Sequence, residues 1–214
     1  FSVSGFYPRK TCRKLFESML NHTNLAAATE RYLDELARWN KTYNLTAITQ
    51  RDEMRVKHVA DSLAVLPFLD AQAPQQILDV GSGAGLPGIL LALARPQWQV
   101  TCLDTVGKKC TFMRHAARSL GLSNVTVVHA RIEDYHQPHD AIISRAFASV
   151  GDFLNITAHC GTSDTRWWAM KGQLPADELA QIPTGFVLAA QHTVTVEGLS
   201  AQRCLLELRR APTP

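Results

Sequence analysis

Several things are missing from this 214-residue chain, and each absence closes a class of function. No stretch approaches the ~18 consecutive apolar residues that a membrane-crossing helix needs. No basic segment leads into an apolar one of the kind that directs secretion, so a secretory address is not expected. The five cysteines, at 12, 102, 110, 160 and 204, are odd in number, widely spread and without a C-x-x-C pair. They read as reduced thiols of a cytoplasmic protein. His136-x-x-His139-Asp140 is the nearest approach to a metal motif. It has no cysteine or further histidine at ligand spacing, so no metal is expected. There is no internal repeat and no low-complexity tract. Excess charge is also scarce. Lys and Arg number 22 against 19 Asp and Glu, a net of +3 that tolerates an acidic partner such as RNA without demanding one.

What is present is an ordinary globular composition, 46% apolar and 19% charged, in a chain long enough for one sizeable core. It is organised around Gln76-Ile77-Leu78-Asp79-Val80-Gly81-Ser82-Gly83-Ala84-Gly85-Leu86-Pro87-Gly88. A strand runs into a glycine turn, and Ile89 to Ala94 continues as a helix, the opening of a βαβ nucleotide-binding unit. Glycines there let a ligand lie directly on the backbone. A dinucleotide would want a third glycine where Leu86 stands, and free N–H groups at the helix start, where Pro87 removes one. An acid two positions before Gly-x-Gly-x-Gly suits S-adenosylmethionine better, because that ligand offers an ammonium for Asp79 to meet and has no phosphate.

Around this unit the chain alternates. Apolar positions Tyr32, Leu33, Leu36, Trp39 and Tyr43 form the stripe of a helix starting by Glu30, and a second helix spans roughly Asp52 to Leu66, closed by Pro67. The other side of that second helix carries Lys57, His58, Asp61 and Ser62, either a solvated face or one turned to the ligand. Residues 71–75 read as a polar link. Strands are expected at Gln99–Asp104, Val125–Val128, Asp140–Ser144 and Trp167–Met170, with a helix from Lys108 to Leu120 stopped by Gly121. Phe186–Leu188, Val194–Val196 and Arg203–Leu208 suggest a closing hairpin. Asp104 lies 23 residues after Gly81, close to the separation at which such folds place a ribose-binding carboxylate. Arg145 and Lys171 each follow a strand, at the edge where open α/β sheets bind ligands. Arg9, Lys10, Arg13 and Lys14 read as a solvated end or as a phosphate-gripping tail.

Taken together, Asp79 to Gly88 and Trp39-Asn40-Lys41-Thr42-Tyr43-Asn44-Leu45-Thr46 resemble the bacterial RsmG family, also called glucose-inhibited division protein B. His58-Val59-Ala60-Asp61-Ser62, Arg131-Ile132-Glu133, Ser144-Arg145-Ala146-Phe147-Ala148-Ser149 and Met170-Lys171-Gly172-Gln173 match further segments in order, so the resemblance runs from about Lys14 to Glu207. It implies a Rossmann-like class I S-adenosylmethionine-dependent methyltransferase, α/β, with a seven-stranded, mostly parallel sheet. Residues 1–75 would form an N-terminal helical extension packed on a methyltransferase domain at 76–214. The activity implied is methyl transfer to N7 of a guanine in small-subunit ribosomal RNA, by a cytoplasmic monomer without a membrane partner. By the same resemblance Gly81 and Leu86 hold the cofactor through the backbone, Ile132 and Glu133 bracket the adenine, and Arg145 reaches cofactor or RNA. Gly83 and Gly85 keep the turn bare. Asp79 and Asp104 take the amino-acid end and the ribose by the general methyltransferase pattern.

That chemistry accounts for one more absence. Guanine N7 carries a lone pair and no proton, so no general base is needed, and the sequence offers no convincing base–nucleophile pair. Catalysis then rests on alignment in a dry site, with the base flipped or looped out. Arg145, Lys171, His58 and Asp61 are candidates for positioning the substrate, and Lys41, Lys57 and Lys171 for meeting RNA phosphates. Tyr43 and Phe147 are candidates for stacking; Trp39 is too, although its place on the apolar stripe favours the core. Two rivals are a nicotinamide-dependent oxidoreductase and an RNA-binding assembly factor with a vestigial cofactor fold.

Overall fold

The structure is a computed structural model that describes residues 9–145, 147, 149–172 and 176–212, with side chains from residue 24 onward apart from that of 176. The chain opens on a long helix, α1 (Arg9–Tyr43). A broken helix follows: α2 (Arg51–Met54), a π-helical segment (Arg55–Ala60), α3 (Asp61–Leu63) and α4 (Leu66–Gln72). Then come β1 (Gln76–Val80), α5 (Gly88–Ala94), β2 (Gln99–Asp104), α6 (Gly107–Ser119), β3 (Val125–His129) and β4 (His139–Ser144). The last part holds α7 (Val150–Thr157), β5 (Gly161–Lys171), α8 (Ala176–Leu179), β6 (Phe186–Val194) and β7 (Arg203–Arg210). Among the described residues the strands form one seven-stranded sheet in the order β3-β2-β1-β4-β5-β7-β6. The pairings are parallel from β3 to β5 and antiparallel where β7 joins β5 and β6.

The central strands read as unbroken apolar runs because both faces of the sheet are covered. Successive residues alternate between two cores. Ile77, Ile143 and Trp168 pack under α1, α5 and α6, whereas Leu78, Ile142 and Trp167 pack against Val150, Phe153 and Leu154 of α7. Tyr32, Leu33 and Leu36 of α1 are fully buried in the first core, so the N-terminal helices and the sheet share it. Burying such a stripe, at about 1.5–3 kcal/mol per large apolar side chain, is what holds α1 in place.

Three expectations need correction. Pro67 does not close the second helix; it sits in the first turn of α4, which takes in Ala71 and Gln72 of the expected polar link. The helix before it ends at Leu63, after the π-helical segment. Val194–Val196 is no separate strand, because Val194 ends the single long β6. α7 went unread. Its local signal is a Ser149 cap, whose hydroxyl accepts from the Asp152 N–H at 3.0 Å.

Candidate active site

The glycine turn leaves the carboxyl end of β1 beside β4, where the strand order reverses and open α/β sheets bind ligands. Gly81, Gly83 and Gly85 all have positive φ, so the turn is one that side-chain-bearing residues adopt with strain. The surrounding structure pins it from three directions. Asp104 accepts the Gly83 N–H at 2.8 Å through Oδ2 and the Val106 N–H at 2.8 Å through Oδ1. Asp79, fully buried, accepts the Gly88 N–H at 2.9 Å through Oδ2. The Tyr32 hydroxyl donates to the Ala84 carbonyl at 2.7 Å, which ties α1 to the turn.

Two cavities are lined by residues that follow β4, and the first of them also reaches this turn. The first, about 450 Å³, is lined by Gly81, Asp104, Lys109, Ile132, Glu133 and Phe147 among others. The residues expected to hold ribose and adenine therefore meet in one place. Phe147 packs on Phe153 with ring centroids 5.3 Å apart and turns part of its surface to that cavity. Burial pushes the Asp79 carboxyl up to about 6, against the opposing pull of the Gly88 amide, the Ser82 hydroxyl and the Arg145 charge.

The second cavity, about 380 Å³, gathers Lys57, His58, Asp61, Arg145 and Lys171, which come from three separate segments, and adds Arg203. The π-helical segment supplies Lys57 and His58, and Asp61 follows it directly. Asp61 is the hub: Arg203 Nε donates to Oδ1 at 2.9 Å, and Arg145 Nη1 lies 3.5 Å from Oδ2 while donating to the Lys57 carbonyl at 3.1 Å. His58 Nε2 lies 2.9 Å from the Thr46 hydroxyl, and Nδ1 is buried without a partner. Burial and the Arg145 charge lower the His58 pKa, so the ring is neutral near pH 7. Lys171 is engaged rather than offered to solvent. It pairs with Glu178 at 2.8 Å and donates to the Phe147 carbonyl at 3.2 Å, while Glu178 accepts the Val150 N–H at 3.0 Å. That pair clasps the segment between β4 and α7. Lys57 pairs with Glu53 at 2.8 Å, and Lys41 is exposed on the last turn of α1 and does not line the cavity.

Replacing Asp61 by Asn keeps its shape and removes the charge that two arginines share. Charge-assisted bonds contribute about 1.5–3 kcal/mol each, so both guanidinium groups are expected to turn toward solvent. Turnover at saturating substrate should fall at least tenfold. Wild-type turnover in a folded Asp61→Asn protein would show that neither arginine needs its anchor.

Comparison with known proteins decides what this arrangement belongs to. The family model of rRNA small subunit methyltransferase G matches residues 25–206. This chain belongs to the rRNA small subunit methyltransferase G family. A ribosomal RNA small subunit methyltransferase G from Pseudomonas entomophila is 50% identical over 181 residues, covering 84% of this chain and 83% of the relative. One from Pseudomonas aeruginosa is 48% identical over the same length, 84% of each chain. Among solved structures, TrmN from Thermus thermophilus superposes with a TM-score of 0.58 at 22% identity, over 70% of this chain and 48% of that one. Mitomycin 7-O-methyltransferase MmcR gives 0.57 at 14%, over 72% and 54%. The chain spans about half the length of each, and the likeness shows the fold alone, that of a class I methyltransferase.

Membership makes S-adenosylmethionine the cofactor, and the residues present fit it. The ammonium end of that molecule calls for an acceptor, and Asp79 Oδ1 is a buried carboxylate oxygen without a hydrogen-bond partner. A bare turn is needed beside it, and a Cβ built on Gly83 would meet nothing nearer than the Gly81 carbonyl at 4.0 Å. Two participants escaped the sequence reading. Arg203 binds a carboxylate 142 positions earlier, for which no local pattern exists. Tyr32 was legible as a core residue but not as the residue that pins the turn. Among the other expected groups, Trp39 packs in the first core against Phe112 and His115, with centroids 5.8 and 4.9 Å away. The side chains of Arg9, Lys10, Arg13 and Lys14, and all of Ala146, Ala148 and Gln173, lie outside the described residues.

Proposed function

We propose that this chain methylates N7 of a guanine in small-subunit ribosomal RNA, using S-adenosylmethionine. The observation that carries the reading is the juxtaposition, across the segment after β4, of an adenosine-sized cavity at the glycine turn with a cavity lined by cations. The guanine N7 lone pair attacks the methyl carbon as the carbon–sulfur bond breaks toward sulfur, leaving a thioether and a methylated, cationic base. No proton moves, which agrees with a site whose His58 is neutral and whose Asp61 is occupied by two arginines. What these residues contribute is alignment and exclusion of water. Arg145 and Arg203, fixed on Asp61, face the incoming nucleotide, and Lys171 holds the segment that separates the two cavities. Asp79 takes the amino-acid end, Gly81, Gly83, Gly85 and Leu86 the backbone contacts, Asp104 the ribose, and Ile132 and Glu133 the adenine. In this reading the protein works as a cytoplasmic monomer, with residues 1–75 a helical extension on a 76–214 methyltransferase unit. The shared core under α1 supports that packing.

The test is transfer of a labelled methyl group to ribosomal RNA. N7-methylguanine is then mapped by the strand scission that follows its reduction. Label on another atom, or none on small-subunit RNA, would refute the proposal. Thermal shift with S-adenosylhomocysteine against NAD(H) separates it from the oxidoreductase alternative.

A pH signature follows from Asp79. A carboxyl whose folded pKa is about 6, above an unfolded value near 3.9, contributes stability that is complete below about pH 4 and lost as pH rises through about 6. Cofactor affinity should run the other way, because only the ionised form attracts an ammonium. Calorimetry is expected to show affinity level near pH 7, where the ligand's amine is still an ammonium, and falling up to tenfold per unit below about 6. Asp79→Asn should flatten that profile. A wild-type profile already flat from pH 5 to 8 would place the ammonium elsewhere.

A further inference from the structure

The charge of this chain is unevenly placed. From Thr105 to Ile132 there are five of its 22 Lys and Arg and none of its 19 Asp and Glu, so acids are in the majority elsewhere. Four of those five lie on α6, whose exposed residues include Lys108, Thr111, Arg114 and Arg118. Spaced at three or four residues, they form one outward stripe about 15 Å long. Arg114 donates to the Val127 carbonyl at 3.3 Å, whereas Lys108 and Arg118 have no side-chain partner among the described residues.

α1 lies antiparallel beside it. Glu35 accepts from the Ser119 hydroxyl at 3.2 Å and contacts His115 at 2.9 Å, and Trp39 packs on His115 and Phe112. One turn further, this register brings the end of α1, with Lys41 and Tyr43, to the start of α6. Tyr43 is the one large apolar side chain left exposed among the described residues, at 41%. The same end of α6 opens on the cofactor cavity, since Lys109 and Arg131 line it.

Resting on the reading above, we propose that the outward stripe of α6, with Lys41 and Tyr43, is a second RNA-binding surface outside the cleft. It holds the phosphates of the strand flanking the target base, and Tyr43 offers a stacking face where that strand leaves the site. Charge complementarity and continuity with the cavity rim favour RNA over an acidic protein. The surface also supplies the uncommitted cations that the cleft does not, because Lys57 and Lys171 are both ion-paired.

The experiment compares wild type with Lys108→Ala/Arg118→Ala and with Tyr43→Ala, none of which touches either cavity. Binding of small-subunit ribosomal RNA is titrated across a salt series, with cofactor affinity measured in parallel. Each phosphate contact on a single strand contributes about 0.7 to the log–log salt slope. The double variant should therefore lose about 1.4 in slope and bind roughly tenfold more weakly at low salt. Tyr43→Ala should weaken binding severalfold with the slope unchanged, and cofactor affinity should hold in both. Unchanged slope and affinity in the double variant, while wild type binds and methylates RNA, would overturn this surface and leave the function standing. Loss confined to assembled particles, with naked RNA bound normally, would assign the stripe to a ribosomal protein and equally overturn it. Wild type that neither binds nor methylates RNA would remove the function and this surface together.

Discussion

Gly83→Val is expected to give a folded protein that no longer binds S-adenosylmethionine. Gly83 has φ +61°, a left-handed conformation that a side chain makes unfavourable by roughly 1–2 kcal/mol. That is a tolerable loss for a domain of this size. Space is no obstacle within the protein, since the nearest atom to the new Cβ is 4.0 Å away. The branched side chain would instead stand in the open volume above the turn, where a ligand must lie on bare backbone. Affinity measured by calorimetry should fall more than a hundredfold, with the melting temperature only a few degrees lower. Gly85→Val makes the contrast. Its Cβ would come within 2.7 Å of the Ile89 side chain, so that variant should lose stability first, by about 1–3 kcal/mol from overpacking in addition to its backbone strain. Should folded Gly83→Val bind the cofactor normally, the glycines turn a corner and do nothing more.

Asp104→Ala should produce the second largest loss, and the structure enlarges what is at stake. The carboxylate holds the glycine turn through Gly83 and the entry to α6 through Val106, and it lines the cavity assigned to the adenosine. Each oxygen keeps a second lone pair for a ribose hydroxyl. Removing the group therefore withdraws two backbone anchors and two ligand acceptors, at about 1.5–3 kcal/mol for each bond to a charged group. Cofactor affinity is expected to fall more than a hundredfold, and the melting temperature to drop measurably even without ligand. Asp104→Asn, which keeps one acceptor oxygen, should fall between. A change in affinity below tenfold, in protein shown to be folded at the temperature used, would mean that the ribose is held elsewhere. Asp104 would then be a brace for the turn alone.

Much of this was readable before any coordinates, because the signals are local. Strand, glycine turn and helix at residues 76–94 are written in consecutive residues, and the buried parallel strands announce themselves as apolar runs. The placement of Asp104, Arg145 and Lys171 at strand ends followed from the same pattern, since a parallel sheet puts every carboxyl end on one edge. Lys57, His58 and Asp61 could be read only as a polar helix face, solvated or not. The choice between those depended on what packs opposite them. Folding brought β7 alongside β5 and so delivered Arg203 to Asp61. It also turned Lys171 from a free cation into half of an ion pair, and made Tyr32 a tether for the turn. The Arg203 and Tyr32 contacts join residues 142 and 52 positions apart, and the Lys171 pair bridges the end of β5 to α8. Their geometry is set by which faces of the sheet are buried, and no spacing within one segment encodes it.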